Sequence, residues 1–237
     1  MEEIKLFCPA TIANVSCGFD VLGLCLDSTG DEMTIRKSAE KGIRITEIIG
    51  ADLPLETEKN VAGVAALSLI EALQPDCGFE ISITKKIKAG SGIGSSAASA
   101  AGAVFGINHL LGNPLSTKEL VFHAMQGEKL ASGSAHADNV APALLGGFTL
   151  VRSYEPLDII AIKAPSELYT TVIHPQIELK TKDARSVLRE NISLKKATIQ
   201  CGNIAGLISG LYTEDYDLIG RSPVSYTHLR AHETDSY

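Results

Sequence analysis

Apolar and polar positions alternate in several short runs along the chain. In "IKLFC" the residues Ile4, Leu6 and Cys8 share one face, which predicts a strand that Pro9 ends. "VLGLCLD" predicts a second short strand, and "EMTIRKS" and "GIRITEI" predict two more. Phe79, Ile81 and Ile83 in "GFEISITKKI" alternate in the same way. Between these runs, apolar residues crowd from Val61 to Leu73 behind Asn60, a natural N-cap, and predict a helix. "SSAASAAGAVFGINHLLG" predicts a helix of small residues closed by Gly112. Ser116-x-x-Glu119 spells a capping box ahead of a helix through about Ala131. "GGFTLVRS", "LDIIAIKA" and "YTTVIH" predict strands, and "SLKKATIQCGNIAGLISGLY" predicts a long helix. Helices and strands mix without an internal repeat. The expected class is α+β, in two lobes that meet near residue 153. Residues 222–237 show neither period and are expected to be exposed, weakly packed and outside any site.

Composition removes several classes of function. The 237 residues carry a net charge of -7 and are 45% hydrophobic, enough for a real core. No basic tract is present, so neither a nucleic acid nor an anionic membrane is an expected partner. Cys8, Cys17, Cys25, Cys77 and Cys201 form no C-x-x-C pair. Reduced thiols are the expectation rather than a disulfide framework or a zinc site, and they fit a cytoplasmic protein. "MEEIKLF" is too acidic for a signal peptide, and the stretch from Val61 to Leu73 is too short, and too polar at Glu71, to span a bilayer.

The densest chemistry lies in "AGSGIGSSAASAAG", from Ala89 to Gly102, between a predicted strand and a predicted helix. The Walker signature requires Lys after its last glycine, and Ser95 follows Gly94 instead. Gly92, Gly94 and Ala97 satisfy the dinucleotide spacing, but no acidic residue ends a strand at the right distance beyond it. A third reading is a glycine turn whose N–H groups cradle phosphate at a helix start, with Ser95 and Ser96 adding hydroxyls. Tight packing of small residues explains the same spelling. Glu128 stands out by helical phase: seven residues at about 100° each return it to within about 20° of Val121, on the inward stripe. Such a carboxylate either reaches solvent at the helix end or holds a cation such as Mg²⁺.

His136, Asp138 and Asn139 crowd one small-residue segment, as hydrogen-bonding groups for a polar substrate or as a structured turn. Metal binding there lacks a visible third ligand. Asn14 and Asp20 occupy a loop and suit turns. Thr181 stands four residues before Arg185, and Arg185 suits either a carboxylate clamp or a surface ion pair.

Together, "PATIANVSCGFDVLGLCL", "GSGIGSSAAS", "HADNVAPALLGG" and "TKDAR" resemble the motifs of the GHMP small-molecule kinases, most closely the branch acting on homoserine. The resemblance covers about residues 4–221. It implies an N-terminal lobe like ribosomal protein S5 domain 2, with a left-handed β-α-β unit, and an incomplete ferredoxin-like C-terminal lobe. It assigns residues 1–153 to ATP binding, 154–221 to part of the second lobe and 222–237 to an unrelated tail. The implied reaction is ATP-dependent phosphorylation of the L-homoserine hydroxyl, a step towards threonine. By motif, Ala89, Gly90, Ser91, Gly92, Ile93, Gly94, Ser95, Ser96, Ala97, Ala98 and Ser99 would hold the triphosphate, with Asn60 on the adenine side. Ser96 and Glu128 would hold Mg²⁺. Asn14, Asp20, His136, Asp138, Thr181 and Arg185 would surround homoserine, Asp20 facing its ammonium and Arg185 its carboxylate. Asn139 stands where related kinases carry a catalytic aspartate. An amide is no base, so positioning and charge neutralisation are the implied means of catalysis. The implied partners are the small-molecule substrate and a second copy of the chain in a homodimer. Lys88 and Arg189 replace prolines frequent in the family. An E-P-x-R segment and a third glycine-rich motif, expected after Arg221, do not occur; Arg230 does not match that arginine in context. The chain therefore reads as shortened and joined to a foreign tail. Alternatives are a mevalonate-type kinase, which calls for aspartate at position 139, a dinucleotide-dependent oxidoreductase, and a non-catalytic nucleotide-binding fragment.

Overall fold

A computed structural model describes residues 1–173 and 191–224. Its centre is a six-stranded sheet. Strand β1 (Glu3–Ala13) runs antiparallel to β2 (Leu22–Ser38). The strand does not stop at Pro9. Pairing steps from Pro9–Gly30 to Thr11–Cys25, so the β2 residues between those partners arch out of the ladder. Proline is tolerated at such an irregularity because it withdraws no needed N–H donor. The runs "VLGLCLD" and "EMTIRKS", expected as separate strands, are two halves of β2 joined through this arch. The first half pairs with β5 (Phe148–Tyr154) and the second with β4 (Gly78–Thr84).

On one side, β3 (Ile43–Ile49) lies parallel to β4, joined by the crossover helix α1 (Val61–Leu73). On the other side β6 (Leu157–Ile162) pairs with β5, so sheet hydrogen bonding continues past residue 153. The expected strand at "YTTVIH" is absent over its described residues, 169–173. Tyr169 and Ile173 are each 85% exposed, so the alternation has no apolar surface to face. His174 lies outside the described residues.

Helices α2 (Ser95–Leu110), α3 (Thr117–Ser132) and the short α4 (Val140–Leu145) complete the larger core. Met33, Ile35, Phe79, Ile81 and Ile83 alternate inward from β2 and β4 against it. On α2, Ala97, Ala98, Ala100 and Ala103 are buried, and their small side chains let α1, α3 and β1 approach closely. The predicted capping box forms: Ser116 accepts from the Glu119 N–H, and the Glu119 carboxylate accepts from the Ser116 N–H. All five cysteines are free thiols.

A second core joins Leu22, Phe148 and Ile162 of the sheet to Leu207 and Leu211 of α5 (Leu194–Thr213) and Ile219 of α6 (Tyr216–Arg221). Ser222 is buried, against expectation, because its hydroxyl donates to the Leu218 carbonyl at 2.6 Å and extends the last helical turn. Asn203 donates to the Val224 carbonyl at 2.8 Å, so packed chain reaches at least that residue. The rest of the expected tail, 225–237, lies outside the described residues.

Candidate active site

The chain between β4 and α2 forms a concave turn. Gly90, Gly92 and Gly94 have φ of 74°, 77° and 68°, alternating with other residues. Alternation of this kind points successive N–H groups into one hollow, which suits an anion. Gly94 also has no room for a Cβ, which would collide with the Thr11 hydroxyl. Ser91 Oγ is buried without a hydrogen-bond partner among the described residues, so a polar atom at the turn awaits something outside the protein. These features fit a triphosphate. Ala89, Gly90 and Gly92 are exposed, Ser91 and Ile93 to Ser96 are half-buried, and Ala97, Ala98 and Ser99 are buried inside the first helical turn. Ser95 donates to the Ile87 carbonyl at 3.1 Å, and Ser99 donates back to the Ser95 carbonyl at 3.4 Å. The dinucleotide alternative needs a parallel strand after the helix; here α2 leads into α3 instead.

A buried ion pair, which sequence reading missed, holds the turn from below. Lys85 and Asp31 meet with side chains 2% and 1% exposed. Lys85 Nζ also donates to the Ser95 carbonyl at 2.8 Å and to Ser99 Oγ at 3.0 Å. Asp31 accepts from the backbone N–H groups of Lys86 and Ile87 at 2.7 and 2.8 Å. The pair thus ties β2, the exit of β4 and the first turn of α2 together.

Glu128 faces inward as its phase predicts and is buried. Burial pushes its carboxyl above the usual value, while a hydrogen bond with Ser96 pulls it back. A desolvated carboxylate beside a serine hydroxyl is a hard-oxygen pair suited to Mg²⁺. Among the described residues no three His, Cys, Asp or Glu side chains gather around one point, so protein ligands alone would not fill a coordination shell. Phosphate oxygens complete such a shell. Asn60 caps α1 through its side-chain oxygen, which accepts from Ala62 at 3.0 Å and Gly63 at 3.4 Å, and its amide donates to the Pro54 carbonyl at 2.8 Å. Its side chain therefore has a structural duty besides any contact with a nucleotide.

The loop after β1 is strained. Asn14, Val15 and Ser16 take φ of 68°, 41° and 57°, and Asp20 takes 58°. Left-handed backbone is costly for non-glycine residues, most of all for β-branched valine, and clusters at functional sites. Local bonds hold it: the Asp20 N–H donates to Asn14 Oδ1 at 2.8 Å. Buried Gln200 of α5 donates to the Cys17 carbonyl, clamping the loop from the C-terminal side. Asp20 Oδ1 lies 3.9 Å from His136 Nδ1. Tyr154, also missed, donates from its hydroxyl to the Asp20 carbonyl at 3.0 Å and accepts from the Ala137 N–H at 3.3 Å. Its ring meets His136 edge-on at 6.3 Å. Asp138 is buried, and a side chain on Gly23 would collide with its carbonyl, so Gly23 lets the 136–139 segment lie on β2. Asn139 accepts from the Thr11 hydroxyl at 2.8 Å. The structure thus groups Asn14, Asp20 and His136, and sets Asn139 beside the glycine turn. Thr181 and Arg185 lie outside the described residues.

Residues 60–147 match the family described as GHMP kinases N terminal domain. The homoserine kinase of Chlorobium phaeobacteroides (strain BS1) is 48% identical, over 94% of this chain and 74% of that protein. That of Methanococcus vannielii is 43% identical, over 93% of this chain and 73% of its own length. The crystal structure of homoserine kinase from Cytophaga hutchinsonii superposes with a TM-score of 0.92 at 51% identity, covering 99% of this chain and 75% of that one. No helix among the described residues is long and apolar enough to cross a membrane. With the glycine turn, the buried Glu128 and the motif order in agreement, the chain belongs to the homoserine kinase family of the GHMP kinases.

Proposed function

We propose that this chain transfers the terminal phosphoryl group of Mg·ATP to the hydroxyl of L-homoserine, giving O-phospho-L-homoserine in the cytoplasm. The observation that carries the reading is the meeting of Ser96 and Glu128 at the head of the glycine turn, where a phosphate-bound cation would find protein ligands. The N–H groups of Gly90 to Ser96 would hold the phosphates, and Ser96 and Glu128 would hold Mg²⁺. When bound there, the metal would supply charge neutralisation to the phosphates. Asp20 and His136 suit the ammonium end of homoserine, and Arg185, with Thr181, its carboxylate. Asn139 has no basicity at neutral pH. Its amide hydrogens suit the developing charge on the transferred group, while the alcohol passes its proton late to an oxygen of that phosphoryl group, as a loose transition state permits.

A coupled assay with Mg·ATP and a panel of homoserine, mevalonate and galactose tests the reading. Turnover of homoserine alone is expected. Turnover of mevalonate in preference to homoserine would replace this reading with the mevalonate-type one.

A further inference from the structure

The irregularity in β1 places Thr11 where two parts of the site meet. Pairing with β2 steps at Pro9–Thr11, and Thr11 is fully buried at that step. Its backbone N–H donates to the Ile93 carbonyl of the glycine turn at 3.2 Å. Its hydroxyl donates to Asn139 Oδ1 at 2.8 Å. Asn139 stands at the N-terminus of α4, where asparagine ordinarily caps the helix, yet it makes no side-chain cap. The amide is instead engaged by Thr11. An asparagine amide has two nearly equivalent settings about its last torsion, with oxygen and nitrogen exchanged. In the setting found here the Thr11 hydroxyl donates to the oxygen, which leaves the NH₂ group facing away from Thr11. Toward phosphate oxygens the two settings are opposite in effect: NH₂ donates to them, whereas the amide oxygen repels them.

We propose that Thr11 is a positioning residue for phosphoryl transfer, fixing the Asn139 amide with its donor side toward the transferred group. The inference rests on the kinase reading above and adds a residue outside the expected site. Backbone and side chain of Thr11 have separable duties. The N–H bond to Ile93 survives any substitution except proline, so nucleotide binding should not depend on the hydroxyl. Thr11→Val keeps the branched shape suited to a strand and removes only the donor.

Steady-state kinetics of the full chain with homoserine and Mg·ATP test this, with thermal melts confirming folding. Thr11→Val should lower kcat about tenfold or more and leave both KM values within about twofold. Thr11→Ser, which restores the hydroxyl, should recover most of kcat. Asn139→Ala should lower kcat about 10²-fold. Thr11→Val in that background should add no further loss, since the group it acts through is gone. Thr11→Ala serves for the same comparison if the valine variant does not fold. Unchanged kcat in folded Thr11→Val beside an impaired Asn139→Ala overturns the proposal alone. Losses that multiply in the double variant also overturn it, because they indicate a general packing role. Full activity in Asn139→Ala removes both this proposal and the role given to Asn139 above, while the substrate panel still decides the reaction.

Discussion

Lys85→Met is the sharpest probe of how the site is built. The substitution keeps the aliphatic stem and deletes the ammonium, which bonds Asp31, the Ser95 carbonyl and Ser99 Oγ. Asp31 retains the N–H groups of Lys86 and Ile87 but becomes a buried carboxylate without its counter-charge. Breaking a buried pair in this way costs about 3–5 kcal/mol, several times the value of a surface ion pair. With a urea slope of about 2 kcal/mol per M, a loss of about 4 kcal/mol moves the unfolding midpoint down by about 2 M. Asp31→Asn added to Lys85→Met removes the orphaned charge, while the side-chain oxygen still accepts the two N–H bonds. The double variant should therefore be more stable than Lys85→Met alone. Urea unfolding followed by far-UV circular dichroism measures both. A midpoint shift under about 0.5 M in Lys85→Met, or a double variant less stable than the single, would refute the reasoning.

Three further outcomes follow from the same geometry. Gly94→Val should abolish calorimetric Mg·ATP binding in a chain that still folds, because a side chain there strikes Thr11 and fills the turn; unchanged affinity would mean that the turn holds no phosphate. Glu128→Gln should lower turnover about 10²-fold and raise the Mg²⁺ concentration for half-maximal rate, with no loss of melting temperature in the unliganded chain; an unaltered Mg²⁺ profile would exclude it as a ligand. His123 is buried, with its Nδ1 2.9 Å from the Ser68 hydroxyl, and burial holds its imidazole below the ordinary value, opposed by a hydrogen bond with the Ser68 backbone. Because its folded pKa is the lower one, stability should fall as pH drops below about 6.5, the unfolded value, and level off below the folded pKa. His123→Asn, which keeps a polar atom near Ser68, should flatten that slope; an unchanged slope would place the titration elsewhere.

What the sequence disclosed of this site and what it hid differ in range. Asn60 as a cap, the Ser116–Glu119 box, the glycine turn and the inward phase of Glu128 are all set by residues within a few positions of one another. Local rules reach that far. The contacts that assemble the site span much more of the chain: 54 positions for Lys85–Asp31, 128 for Thr11–Asn139 and 134 for Tyr154–Asp20. Lys85 is one of three closely spaced lysines in "TKKIKAG", and nothing local marks it as the buried one. Pro9 misled for a related reason. A proline ends a strand when its missing N–H is needed, and only the pairing partner reveals that here it is not.

The hidden contacts and the broken local rules fall in the same places. Val15 takes a left-handed backbone that its branched side chain disfavours, Glu128 is a carboxylate on a buried stripe, and Asn139 heads a helix without capping it. Each departure lowers stability on its own, by mechanisms typically of order 1 kcal/mol or more. Each is also held by a long-range tie: Gln200 onto the strained loop, Ser96 onto Glu128, Thr11 onto Asn139. A fold selected for stability alone would cap α4 with Asn139 and put leucine at position 128. Instead the larger core lets the glycine turn lead into α2, α3 place a desolvated carboxylate beside Ser96, and α4 start at an amide bonded to Thr11. The cost of those three placements is spread over contacts that cross the whole chain, which is why the site reads most clearly from its anomalies.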